Sequence, residues 1–100
     1  MRTALAAALS FYTVGATFTG YNAAAATTAE PELVWLDATQ PDLSQIDIQV
    51  ASGPNLLLVA KSRSKTFFCL AQQAGNPLTT RGSNTDFTQV DTVAECTGGW

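Results

Sequence analysis

One hundred residues, 46% of them hydrophobic and only 13% charged, suit one small folded domain with a modest core rather than a disordered chain. A net charge of −3 with five basic residues excludes a groove that neutralises many phosphates, so nucleic acid is not an expected partner. The absence of histidine removes Ser–His and Cys–His nucleophile pairs and the commonest metal ligand.

The chain opens on a segment with two readings. Met1-Arg2-Thr3 followed by an Ala-rich apolar run has the order of a secretory signal. The same residues form an amphipathic helix over 1–14, in which Met1, Leu5, Leu9 and Tyr12 recur every three to four residues as one apolar stripe and Gly15 supplies the stop. We read it as the helix, and expect Leu5, Leu9, Tyr12, Phe18 and Trp35 to pack it against a sheet. Phe11, Tyr12, Phe18 and Tyr21 are read as an aromatic packing layer at the helix end rather than a ligand platform.

Residues 15–45 read as a connection. Asn22 is a good N-cap for a short helix over Ala23–Ala29, which Pro31 ends. Leu33-Val34-Trp35-Leu36 is an apolar knot without period, expected to fold back onto the core as loop, and Pro41-Asp42 is a turn signal. The pattern then switches to period two. Ile46, Ile48 and Val50 alternate with Asp47, Gln49 and Ala51, predicting a half-buried strand over 46–51. Ser52-Gly53-Pro54-Asn55 breaks it, and the unbroken apolar run 56–60 predicts a central strand covered on both faces. Lys61 to Lys65 is a polar hairpin connection. In the strand 66–71, Phe67, Cys69 and Ala71 fall on one face and Phe68 and Leu70 on the other.

Residues 72–100 lose periodicity and carry loop chemistry at 75–77, 81–84 and 97–99, with Phe87 and Val90 as anchors. Cys69 and Cys96 are either free buried thiols or one structural disulfide. We expect the disulfide, because the segment it closes has little else to hold it. A loop of about 28 residues corresponds to roughly 3.5 kcal/mol of stabilisation in the chain-entropy view. The predicted fold class is therefore α+β: one N-terminal helix on a three- to four-stranded antiparallel sheet, with a disulfide-bounded C-terminal loop region.

No catalytic constellation is written in the chain. Ser62-Arg63-Ser64-Lys65 matches a Ser-x-x-Lys pattern, but it lies between two strands and its companion motifs are absent, so it reads as a turn. Asp86 and Asp91 in the 82–91 loop could offer oxygens to calcium, against the simpler reading of a polar loop. Neither a cofactor site nor an acid–base pair is expected, and the chain is not read as an enzyme.

The order of these parts resembles bacterial type IV pilins, of the actinobacterial sort. The resemblance runs through Phe11-Tyr12, Gly15 and Phe18-Thr19-Gly20-Tyr21 at the helix end, Glu30-Pro31-Glu32-Leu33 with Trp35, the Ser-Lys-Thr-Phe-Phe-Cys strand at 64–69, and the terminal Cys96-Thr97-Gly98-Gly99-Trp100. It covers essentially the whole chain. It implies a single pilin-like domain over 1–100 that forms the outer shell of a surface filament, extracellular once assembled and at the inner membrane before. Its partners would be other pilin subunits, bundled through a preceding apolar half-helix that would also be the only membrane contact. The basic leader and cleavage junction of pilins are not in this sequence, so the chain is expected to begin midway along that helix. Adhesion and motility are among the roles such filaments serve. The alternatives are a type II secretion pseudopilin, which would favour calcium in the 82–91 loop, and a small secreted binding module with residues 1–25 cleaved.

Overall fold

The computed structural model describes residues 18–31, 33–42, 45–53, 55–62, 64–73 and 76–98, with the side chains of 73 and 76–78 excepted. The predicted helix 1–14, with Leu5, Leu9, Phe11 and Tyr12, lies outside the described residues.

The first described element is α1 (Ala23–Ala29). Seven residues cannot hold a helix by propensity alone, so its ends are fastened from outside. Asn22 Oδ1 accepts from the amide of Ala25 at 2.9 Å, and Asp37 Oδ1 accepts from that of Ala23 at 2.8 Å. Both satisfy amides that the first helical turn leaves open.

Five strands follow: β1 (Val34–Asp37), β2 (Gln45–Ser52), β3 (Asn55–Lys61), β4 (Phe67–Gln73) and β5 (Asn76–Asn84). They lie side by side in sequence order, with β1 parallel to β2 and every other neighbouring pair antiparallel. The architecture is α+β with a five-stranded mixed sheet, so the expectation of three to four antiparallel strands needs two corrections. The apolar knot at 33–36 is not a connecting loop: Val34 to Asp37 pair with Gln45 to Ile48 as an edge strand. The segment 76–84 is not irregular either. As an edge strand it takes its ladder from backbone groups and needs no apolar alternation.

The turns follow local chemistry. Gly53 has φ +56° at the β2–β3 hairpin, a conformation glycine adopts without steric penalty. The Ser62–Thr66 turn between β3 and β4 closes through Ser62 N–H to Thr66 O at 2.9 Å and Lys65 N–H to Ser62 O at 3.0 Å, the role read for the Ser-x-x-Lys tetrapeptide.

Two apolar layers form, one on each face of the sheet. Phe18, Tyr21, Ala26 and Trp35 pack with Ile46, Ile48, Leu56 and Leu58. On the opposite face Leu57, Val59, Phe67, Cys69 and Ala71 pack with Val90 and Cys96. β3 is thus apolar on both sides because both sides are covered. The alternation predicted for β2 fails halfway: Ile48 pairs with Leu58 but Val50 pairs with Leu57, so a bulge at Gln49 shifts the register. The extra residue moves Val50 onto the second face and Ala51 onto the first.

Candidate functional site

The second face of the sheet carries the features that distinguish this chain. After β5 the chain makes two single-turn 3-10 segments, Phe87–Gln89 and Val93–Glu95, and returns over β4. Each is capped by the residue before it. Asp86 Oδ1 accepts from Thr88 N at 3.0 Å and Thr88 Oγ1 at 2.8 Å, while Thr92 Oγ1 accepts from Glu95 N at 3.3 Å. The Thr88 hydroxyl and amide together hold the Asp86 carboxyl below its ordinary range.

Cys69 on β4 and Cys96 are joined in a disulfide, with Cα atoms 5.8 Å apart and both residues fully buried. Val90 is buried with them, and Phe87 stands edge-on to Phe67 with ring centroids 5.5 Å apart. The two anchors expected in the tail do anchor it, with Val93 as a third.

The tail comes so close to β5 that one position tolerates no side chain. A Cβ on Gly82 would lie 2.8 Å from Thr97 O, 2.9 Å from Thr97 N and 3.1 Å from Cys69 Sγ. Gly82 pairs with Cys69 across the ladder, so the backbone of the tail rests on the one residue beside the disulfide that lacks a side chain. By its neighbours Arg81, Ser83 and Asn84 this glycine has loop chemistry. Nothing local marks it, because the demand comes from a segment fifteen residues away.

A second feature was also missed. Asp47, read as the polar side of a half-buried strand, is fully buried. Its Oδ1 accepts from the amide of Thr39 at 2.9 Å, and its Oδ2 has no hydrogen-bond partner among the described residues. Burial pushes its carboxyl from an ordinary 3.8 up to about 7, the Thr39 amide opposes that rise, and the neighbouring Asp37 carboxylate adds to it. The covering segment is the return from β1 to β2. It turns at Ala38, which has φ +44°, donates Ala38 N–H to Ile48 O at 3.1 Å, and sinks Pro41 fully into the protein. The one charged residue in a strand whose other members carry no charge was the signal available in the sequence.

On the first face, Phe18 and Trp35 are both buried and share one layer with Tyr21, while the helix expected to pack there lies outside the described residues. Tyr21 meets Trp35 edge-on at 6.5 Å, and Trp35 Nε1–H donates to Glu30 O at 3.2 Å. Burial, with the Glu30 carboxylate second, raises the Tyr21 hydroxyl to about 12. This is core chemistry rather than a ligand platform.

Among the described residues no group of three or more His, Cys, Asp or Glu side chains is placed to hold a metal ion. The two carboxylates of the 82–91 loop contribute one side chain tied to Thr88 and a partly buried Asp91. Among the same residues no helix is long and apolar enough to cross a membrane. Comparison of the chain with protein-family models, with characterised proteins and with solved structures finds no match.

Proposed function

We propose that this chain is a structural subunit of a bacterial surface filament of the type IV pilin kind, its described residues forming the globular head. The observation that carries the reading is the C-terminal segment pinned across the sheet by Cys69–Cys96, in a chain whose motifs occur in the pilin order. The chemistry agrees with a mechanical role. The chain has no histidine, and the buried Asp47 carboxyl ties the Thr39 segment to β2. In this reading the sheet is a rigid body, and the segments at 20–45 and 72–100 meet neighbouring subunits. The low charge leaves that surface little repulsion between copies.

The test is to shear surface appendages from the producing cells and identify their proteins by mass spectrometry. Recovery of this chain in a sedimenting filament fraction supports the proposal. Recovery only as free monomer in the medium refutes it.

One observation favours a second reading, a small secreted binding module. Residues 33–98 supply the whole sheet, its tail and its disulfide, so these remain if 1–25 are removed. Such a cleavage would strip Phe18 and Tyr21 from Ile46, Ile48, Leu56 and Leu58, and the bared face should drive dimerisation. Intact mass separates the readings: loss of about 25 residues favours the module.

A further inference from the structure

Parallel neighbours in a sheet are ordinarily joined by about a dozen residues or more, commonly including a helix. Here β1 and β2 are joined by residues 38–44 alone. Its described part, 38–42, acts as a strap from the end of β1 back toward the start of β2. The strap is held by the Ala38 amide on Ile48 O, the Thr39 amide on Asp47 Oδ1, buried Pro41 and, at its far end, the Asp42 amide on Gln45 Oε1 at 2.8 Å and the Gln45 amide on Asp42 O at 3.2 Å. A further contact, Lys61 Nζ to Asp42 Oδ1 at 3.8 Å, involves a carboxylate that is 77% exposed and adds little.

We propose that Asp47 is a proton-controlled latch on this strap, holding it closed when the carboxyl is neutral and loosening it when the carboxyl is ionised. The geometry supplies the mechanism. In the closed state a buried carboxylate has, among the described residues, one hydrogen bond and an oxygen with none, a poor substitute for water. Lifting the strap hydrates both oxygens. The Thr39 amide favours the ionised form, but burial outweighs that single bond.

The surrounding charges do not rescue the anion. On β1, Asp37 adds a like charge and is itself engaged with the Ala23 amide. On β3, the residue opposite Asp47 is Val59; Lys61, two residues along, directs its ammonium to the Phe67 ring at 5.5 Å and to Asp42. The strap itself brings Asp42. The tail brings Asp86, Asp91 and Glu95 to this side of the sheet, all acidic, with Asp86 and Glu95 bonded to Thr88 and Thr92. β2 carries no other charged residue.

The sign follows from the two states. In the open strap Asp47 ionises near its ordinary 3.8, and in the closed one near 7. Opening is therefore least in acid, grows as pH rises between those values, and levels off above the higher one. The latch does not depend on the filament reading.

Amide hydrogen exchange on the intact chain tests it, comparing the protection factors of Thr39 and of Val59 in central β3 from about pH 4 to about pH 8. The expected result is that Thr39 is less protected than Val59 at every pH and loses at least about tenfold of its own protection by neutral pH, a loss absent in Asp47→Asn. Carbon-13 titration of the Asp47 carboxyl in the unaltered chain should show its midpoint near 7, which keeps the test decisive if the variant does not fold. Thr39 protection that does not change with pH, the same fall in Asp47→Asn, or a midpoint below about 5 overturns the latch. So does protection at Thr39 equal to that at Val59, which would mean that this amide exchanges only when the whole sheet opens.

Discussion

Removing the disulfide with Cys69→Ala and Cys96→Ala together should lower stability and free the tail before the sheet fails. The bond joins residues separated by 27 positions, and constraining a loop of that size in the unfolded chain corresponds to about 3.5 kcal/mol. A chain of this length unfolds with an entropy of roughly 0.2 kcal/mol per kelvin, so the melting temperature should drop by about 15 °C. The folded state adds a local effect. Without the bond, residues 85–98 are held to the sheet by Phe87, Val90 and Val93 and by the closing turns. Their apolar contacts are fewer than those of the central strands, so the tail should open first. Thermal unfolding followed by circular dichroism measures the first effect, and limited proteolysis with fragment mass spectrometry the second. A melting shift under about 3 °C would refute the entropic argument. Cleavage appearing simultaneously in the tail and in β3 would refute the local one.

Gly82→Ala should cost about 1–3 kcal/mol, because the added methyl meets the Thr97 backbone and not a movable side-chain end. Once the disulfide is removed the tail can lift away and the same substitution should cost much less; urea midpoints of the four proteins that agree with additivity within about 0.5 kcal/mol would sink this account. Asp47→Asn should change how stability depends on pH. The folded-state value is raised, so the unaltered protein loses stability as pH rises from about 3.8 to about 7, by at most about 4 kcal/mol. The difference in denaturation free energy between variant and parent cancels the other carboxylates, and it should move in the variant's favour from pH 4 to pH 8. A difference that stays constant over that range would show that Asp47 ionises freely in the folded protein.

Neighbouring residues were enough to specify a good part of this protein. The faces of β4, the run that makes β3 apolar on both sides, the turn residues at 52–55 and 61–65 and the capped helix at 23–29 all express local geometry, and local geometry is written in short spacings. The pairing of Cys69 with Cys96 was legible for a different reason: two cysteines in the chain admit a single intramolecular bond.

What required the tertiary structure is whatever depends on a partner distant in sequence. The knot at 33–36 has no period of its own and becomes a strand by pairing with residues 45–48. The polar stretch 76–84 becomes a strand by bonding to β4 through backbone groups that every residue carries. The bulge at Gln49 transfers Val50 to the other face, which no alternation in β2 could announce, since register belongs to the pair and not to the strand. Gly82 is demanded by Thr97 and Asp47 is buried beneath Thr39 and Pro41, so neither residue's role exists until the chain has folded back over it.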